Sequence, residues 1–143
     1  MDIQITDFNS SIGGLLQSNQ LLISDIETGT KVLFFVVGSK QQPSGVVGIQ
    51  VFGTTALLRS LAVSESERGK GLGSALVRHV EQHLASSGVS TVYLLTTTAS
   101  PFFELHGYIT ANRKDAPKSI SETSQFSSLC PGSSAFMVKV LHA

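Results

Sequence analysis

The chain has one cysteine and few charged residues, and each shortage argues against a class of protein. A single thiol, Cys130, cannot form an intramolecular disulfide, so a disulfide-stabilised secreted scaffold is excluded and a reducing cytoplasm is expected. Charged residues make up 14% of the 143 residues, and ten basic side chains balance ten acidic ones. A net charge of zero gives no general electrostatic attraction for nucleic acid or for an anionic membrane.

Long apolar runs and metal-ligand spacings are also missing. Runs such as residues 32–37 are far too short to span a bilayer, and no basic start with an apolar core marks a signal peptide. Four scattered histidines and one cysteine form no metal-ligand spacing, so no metal is expected. Hydrophobic residues at 41% instead predict one globular domain over residues 1–143.

The order of apolar runs and breaks predicts an α/β chain that begins with strands. After a glycine-rich segment, Leu72, Leu76, Val80 and Leu84 recur at four-residue intervals, which is typical of an amphipathic helix. Its polar residues Arg78, Glu81, Gln82 and His83 are expected in solvent. Strands are predicted at 2–6, 31–37, 46–52, 56–63, 92–95, from 108, and at 136–141, and further helices at 10–16, 20–26 and 99–106. Residues 112–134 are predicted to be polar and irregular, apart from a helical turn that starts at Pro117.

Three glycines alternate at positions 69, 71 and 73, between an apolar strand and that amphipathic helix. Bare backbone lets several N–H groups point into one concavity, and a helix N-terminus adds a positive partial charge. Arg68 and Lys70 supply full charges nearby. The segment therefore predicts a pocket for a diphosphate, although its spacing fits neither a Walker loop nor a dinucleotide-binding fingerprint. The alternative is a glycine-rich surface turn that binds nothing.

The pattern Arg/Gln-x-x-Gly-x-Gly/Ala is met by Arg68, Gly71 and Gly73 and is preceded by Leu61-Ala62-Val63. In this form it resembles the pyrophosphate loop of the GNAT N-acetyltransferases. The resemblance implies a mixed central sheet of about seven strands, helices on both faces, splayed fourth and fifth strands, and acetyl-CoA as cosubstrate. The residues that it implies as cofactor-binding are Leu61, Ala62, Val63, Arg68, Gly69, Lys70, Gly71, Leu72, Gly73, Ser74, Thr96, Thr98 and Phe103.

The chain departs from the family at the usual acid and base. Phe103 stands where many relatives carry a tyrosine that protonates the leaving thiolate, and a phenyl ring donates no proton. The strand that often supplies a carboxylate base has Arg59 and Ser60 instead. The candidate catalytic residues are therefore Arg59, Ser60 and Cys130. Arg59 either clamps a substrate anion or pairs with a glutamate at the surface, and Cys130 is either a reactive thiol or a small buried side chain.

The second half of the chain resembles the amino-acid acetyltransferase branch, above all the acetyl-transfer domain of N-acetylglutamate synthases, through residues 94–108, 115–117 and 134–139. Residues 124–131 resemble small acetyltransferases associated with arsenic resistance. The resemblance implies acetyl transfer to a small amine acceptor that is glutamate-like or an arsinic or phosphinic analogue, and pairing of two copies as a homodimer. Two alternatives stay open: another amine (a polyamine, an antibiotic or a protein N-terminus), or a non-catalytic acyl-CoA-binding sensor.

Overall fold

The computed structural model describes residues 2–129 and 134–141, with backbone alone at 128 and 129. These residues contain seven strands and five α-helices, and they divide into two compact units. The first unit comprises residues 2–50 and 58–83, and the second comprises 51–57 and the described residues from 84 onward. The elements are β1 (Ile3–Thr6), α1 (Ser10–Ser18), α2 (Ser24–Glu27), β2 (Leu33–Gly38), β3 (Pro43–Phe52), β4 (Thr55–Val63), α3 (Leu72–Ser86), β5 (Thr91–Thr96), α4 (Ser100–Leu105), β6 (Ile109–Thr110), α5 (Lys118–Ser121) and β7 (Ala135–Val140).

In the first unit the strands follow the order β1-β2-β3-β4. β1 and β2 are antiparallel, with Ile3 opposite Val37, and β2 and β3 are antiparallel, with Phe35 opposite Val47. A register shift after Val37 ends the regular pairing where the chain turns into β3. The predicted strand at residues 31–37 is confirmed, two residues later at its start.

The two faces of β2 are both covered, because successive side chains of a strand point to opposite sides. Phe34 and Val36 belong to a cluster with Ile12 and Leu16 of α1. Phe35 lies on the other face, where its ring meets His79 and His83 of α3 at centroid distances of 5.6 and 5.1 Å. Helices therefore lie on both faces of the sheet in this unit, as the family resemblance implies. Two side chains expected in solvent are corrected: His83 packs against Phe35, and Oε2 of Glu81 is buried.

The apolar stripe of α3 is confirmed. Leu76, Val80 and Leu84 are fully buried and Leu72 is 8% exposed. Gly45 of β3 lies under this helix, since an added Cβ would come within 3.1 Å of the Leu76 side chain. On the opposite face Gly48 leaves room for Phe34 and Val32, which a Cβ would approach to 3.1 and 2.7 Å. Small residues in β3 thus set how closely the elements pack.

In the second unit the strands follow the order β5-β7-β6, and both pairs are antiparallel. Tyr93 of β5 stacks on Phe136 of β7 with an interplanar angle of 7°, and Phe126 meets Phe136 edge-on. Ile120 of α5 and Leu57 complete this small core. Seven strands and the helices packed beside them confirm the predicted α/β fold class.

The segment predicted as irregular is more structured than its composition suggested. Its described part contains a 3-10 turn at Arg113–Asp115, α5, and a five-residue π-helix at Gln125–Leu129. Arg113 holds the two ends of the segment together, because its Nη2 donates to the carbonyl oxygen of Ser134 at 3.0 Å while its guanidinium lies over the Phe126 ring. The helical turn predicted from Pro117 is confirmed by α5, whereas the other two turns have no hydrophobic period that a sequence pattern could detect. None of the described helices is long and apolar enough to cross a membrane.

Candidate active site

Ser60 gives β4 an irregular backbone in the middle of the strand. Its φ is +59°, a left-handed conformation that residues with a Cβ adopt rarely. Gln20 is the other non-glycine residue with a positive φ among the described residues, and it lies in a turn after α1. A left-handed residue inside a strand interrupts the regular pleat and redirects the backbone groups beside it.

Arg59 precedes Ser60 and is 3% exposed. Its guanidinium makes a bidentate ion pair with Asp25 of α2, with Nη1–Oδ2 at 2.6 Å and Nη2–Oδ1 at 3.0 Å. Nη1 also donates to Oε1 of Gln50, and Nε donates to Oγ of Ser60, both at 3.1 Å. Arg59 is therefore neither a free clamp for a substrate anion nor the partner of a surface glutamate: both expectations are corrected, because a buried aspartate occupies its fork.

The three residues after Ser60 alternate across β4. Ala62 is buried in the core that α1 and α2 cover, whereas Leu61 and Val63 are partly exposed. The carbonyl oxygen of Val63 accepts a hydrogen bond from Nε of Arg68 at 3.3 Å. The end of the strand is thus tied to the glycine loop that follows it.

The glycine loop turns sharply between β4 and α3. It begins with a 3-10 turn at Glu65–Glu67, and Gly69 and Gly71 then have φ of +82° and +80°. An added Cβ at either glycine would meet nothing within 4 Å, so these glycines serve backbone conformation and not close packing. The first backbone bond of the helix runs from the Ala75 amide to the Gly71 carbonyl, at 3.1 Å.

The amides of this loop are available to a ligand. Among the described residues, the N–H groups from Gly69 to Gly73 donate to no backbone carbonyl, whereas the Arg68 amide donates to Glu65 at 3.4 Å. The first amides of a helix have no partner within it, and the aligned peptides behind them add about half a positive charge. Five N–H groups at the start of the fifteen-residue α3, with Ser74 in its first turn, fit the diphosphate of a coenzyme.

The two cations of the loop differ in role. Arg68 is held at both ends of its guanidinium, since Nη2 donates to Oδ1 of Asn19 at 2.7 Å while Nε bonds Val63. Asn19, the C-terminal cap of α1, also donates from Nδ2 to the Leu15 carbonyl. Lys70 pairs with Glu67 at 2.8 Å with 61% of its side chain exposed. Arg68 therefore ties the loop to β4 and α1, and Lys70 is the exposed charge of the loop.

The remaining predicted residues lie in the second unit or outside the described chain. Oγ1 of Thr96, at the end of β5, accepts a hydrogen bond from the Ala99 amide at 3.0 Å and shapes the turn before α4. Thr98 is exposed, and Phe103 of α4 is 5% exposed with its ring edge-on to Tyr108. Cys130 lies outside the described residues. Within the described ranges, no group of three or more potential ligands could hold a metal ion.

A family model described as the acetyltransferase (GNAT) family matches residues 7–108, which include β4, the glycine loop and α3. The chain belongs to this family. It is 39% identical over 88 residues to an uncharacterized N-acetyltransferase of Chlorobaculum tepidum, and the match spans 61% of this chain and 56% of that protein. The chain thus spans little more than half the length of the curated relative that it matches.

Solved structures with low sequence identity share the GNAT fold. N-acetylglutamate synthase from Neisseria gonorrhoeae, complexed with coenzyme A and N-acetyl-glutamate, superposes with a TM-score of 0.79 at 18% identity, over 100% of this chain and 36% of that one. A GNAT-family acetyltransferase from Staphylococcus aureus Mu50 has a TM-score of 0.73 at 18% identity, over 99% of this chain and 100% of that one. At these identities the similarity shows the fold alone, which agrees with the predicted α/β class.

The sequence did not indicate the residues that hydrogen-bond to Arg59 and Arg68 from elsewhere in the chain. Asp25, Gln50 and Asn19 contact Arg59 and Arg68 from 34, 9 and 49 positions away. Asp25 carried no signal of burial, because adjacent residues of a helix such as Asp25 and Ile26 do not share a face. Asn19 and Gln50 carried no signal, since neither belongs to a motif.

Proposed function

We propose that the chain is a single acetyltransferase domain over residues 1–143 that transfers acetyl from acetyl-CoA to the α-amine of a small, glutamate-like amino acid or its arsinic or phosphinic analogue. The observation that carries the donor half is the set of loop amides from Gly69 to Gly73, which donate to no backbone carbonyl in the described chain. Membership of the GNAT family supports the same reading.

Acetyl-CoA, when bound, supplies an acetyl group activated as a thioester. The chain supplies binding and orientation: the amides of Gly69–Gly73 and the start of α3 hold the diphosphate, with Lys70 as the adjacent full charge. Backbone groups of Leu61 and Val63 extend along β4 and hold the pantetheine arm strand-fashion. Holding both reactants in place lowers the activation free energy by several kcal/mol, and no side chain needs to transfer a proton for this effect.

The strand along which the thioester would lie, β4, has no histidine, cysteine or tyrosine. β4 has no carboxylate, and the nearest buried one, Asp25, is engaged by Arg59. Phe103 offers no hydroxyl. Deprotonation of the acceptor ammonium and protonation of the coenzyme thiolate are therefore assigned to water, and backbone donors in β4 are assigned the polarisation of the acetyl carbonyl.

The acceptor half of the proposal rests on the resemblance of residues 94–139 to amino-acid acetyltransferases, and it is supported by the likeness in fold to a synthase that holds N-acetyl-glutamate. It does not rest on Arg59, because Asp25 already engages both of its terminal nitrogens. Action in the cytoplasm, a role in arsenic resistance and a homodimer are further parts of the proposal. Sedimentation of the purified chain tests the homodimer.

Calorimetry with CoA and an assay of CoA release test the two halves separately. We expect CoA to bind, and release of CoA from acetyl-CoA to be faster with glutamate or its phosphinic and arsinic analogues than with spermidine, aminoglycosides or peptide N-termini. Preference for one of those other amines would refute the proposed acceptor and leave the proposed acetyl-CoA site unchanged. Tight binding of acetyl-CoA with no turnover on any amine would make the protein a sensor. No heat with CoA would refute both halves.

A further inference from the structure

The left-handed conformation of Ser60 needs a cause, because it is unfavourable for a residue with a Cβ and lies inside a strand. Such conformations persist where the surrounding structure over-determines them, and they concentrate at functional sites. Here the hydroxyl of Ser60 accepts a hydrogen bond from Nε of Arg59. The Arg59 side chain therefore contacts β4 at Ser60, the residue where the backbone departs from a regular strand.

The direction of that hydrogen bond is fixed from α2. A guanidinium is planar and rigid, so two hydrogen bonds to one carboxylate fix its plane, and with it the direction of the Nε–H bond. Asp25 makes this bidentate contact at 2.6 and 3.0 Å. Oε1 of Gln50 accepts a further hydrogen bond from Nη1 of Arg59. Asp25 thus constrains Ser60 through one rigid side chain.

Stability alone is a poor explanation for this pair. Asp25 and Arg59 are the charged residues that are buried among those described, at 6% and 3% exposure. Replacing a buried ion pair by apolar side chains of similar volume is often neutral or stabilising, because the two charges lose their hydration. The pair gives what an apolar contact could not: a fixed direction for the donor that meets Ser60.

We propose that Asp25 is a positioning residue for acetyl transfer: by orienting Arg59, it holds Ser60 in the left-handed conformation, which sets the peptide plane between Ser60 and Leu61. This inference rests on the proposed function. The dihedral angles of Ser60 turn the carbonyl of Ser60 and the amide of Leu61 together, and these are the backbone groups of β4 that would face the acetyl end of the donor. A donor that is turned away contributes nothing to the transition state.

Four proteins test the proposal: the wild type, Ser60→Gly, the pair Asp25→Asn with Arg59→Gln, and all three changes together. The double variant removes both charges, so no buried charge is left unpaired. Glycine adopts positive φ without a steric penalty, so the Ser60→Gly background needs the network less. We expect the double change to lower kcat by about 10- to 100-fold on the wild-type background, with the Kd for CoA and the KM for acetyl-CoA within about threefold. On the Ser60→Gly background the same double change should lower kcat by less than about threefold.

A structural readout accompanies the kinetics. In a crystal structure of the double variant, Ser60 should return to a negative φ; a Ser60 that stays left-handed would overturn the proposal whatever the rate. Equal losses of kcat on both backgrounds, or no loss in the double variant, would also overturn it. If the double variant does not fold, Asp25→Glu, which keeps the charge and displaces the carboxylate, takes its place in the same comparison. A wild type that turns over no amine refutes the proposed function itself, whereas an active wild type with an unaffected variant refutes only the role of Asp25.

Discussion

Asp25 and Arg59 face each other inside the first unit with their carboxylate and guanidinium paired fork to fork, at 2.6 and 3.0 Å. The pair joins a four-residue helix to the centre of β4, next to the left-handed Ser60. A charge so buried depends on its partner for nearly all of its solvation. The two residues therefore act as a unit, and removal of one exposes the cost of burying the other.

Asp25→Asn should lower the free energy of unfolding by about 3–5 kcal/mol, because it leaves the Arg59 guanidinium buried beside a neutral amide. Urea denaturation followed by circular dichroism measures the loss. The matched control is Glu67→Gln, which removes the partner of Lys70 in the exposed pair and should change the free energy of unfolding by less than about 1 kcal/mol. Equal effects of the two changes would mean that the buried pair is solvated in solution.

Gly71→Ala should weaken the binding of CoA and destabilise the protein by about 1–2 kcal/mol, since alanine is strained at a φ of +80° although its methyl group would touch nothing. Gly14→Ala is the matched control: Gly14 is exposed within α1 and its added Cβ also meets nothing, but its φ is not positive. That change should stabilise the protein by about 0.5–1 kcal/mol and leave the Kd for CoA unchanged. Calorimetry and thermal unfolding of both variants make the comparison. Unchanged CoA affinity in Gly71→Ala would argue against the loop as the diphosphate site.

How much of this site the sequence predicts depends on the distance along the chain over which each feature is determined. The glycine loop is predictable, because Arg68, Gly71 and Gly73 lie within six residues and their spacing sets the turn directly. The strand that carries Arg59 is predictable as well, from the apolar residues on both sides of Arg59 and Ser60. The partner of Arg59 is not, because Asp25 lies 34 positions away on a helix that the sequence placed only roughly, at residues 20–26 instead of Ser24–Glu27.

Sequence patterns also do not predict a left-handed residue within a strand or the full width of a helix's buried face. Nothing in Leu58-Arg59-Ser60-Leu61 distinguishes a regular strand from one with a left-handed serine, and the partners that orient Arg59 beside it, Asp25 and Gln50, lie elsewhere in the chain. His83 was expected in solvent because histidine is polar, yet its aromatic ring packs edge-on against Phe35 at a centroid distance of 5.1 Å. The apolar period identifies the helix but not the full width of its buried face.

Asn19→Ala should weaken the binding of CoA by about three- to tenfold, because it removes the acceptor that holds Nη2 of Arg68 and so loosens the glycine loop. The effect should appear in the dissociation rate of CoA, with little change in kcat at saturating acetyl-CoA. Gln17→Ala, at an exposed position of the same helix, is the control and should leave the affinity unchanged. Stopped-flow measurement of CoA dissociation separates the two variants. A loss of kcat with an unchanged dissociation rate would contradict a role in shaping the loop.

Phe103→Tyr tests whether the missing general acid limits the reaction. Phe103 is 5% exposed, and its ring meets Phe102 and Tyr108 edge-on at centroid distances of 5.1 and 5.6 Å. A hydroxyl added there is buried, and without a partner it should lower the free energy of unfolding by about 1–3 kcal/mol. We expect kcat to stay within about threefold of wild type, since the coenzyme thiolate is a fair leaving group that water can protonate.

Phe102→Tyr is the matched control for this change. Phe102 is half-buried beside His106, so a hydroxyl at its ring edge can reach water and should change the free energy of unfolding by less than about 0.5 kcal/mol. Steady-state kinetics at saturating acetyl-CoA and urea denaturation of both variants give the two readouts. If Phe103→Tyr instead raises kcat tenfold or more, protonation of the thiolate limits turnover, and the protein is a slow enzyme because it lacks this one hydroxyl. If both variants lose equal stability, water reaches the edge of the Phe103 ring. Water could then protonate the thiolate from the position where the resemblance places a tyrosine hydroxyl.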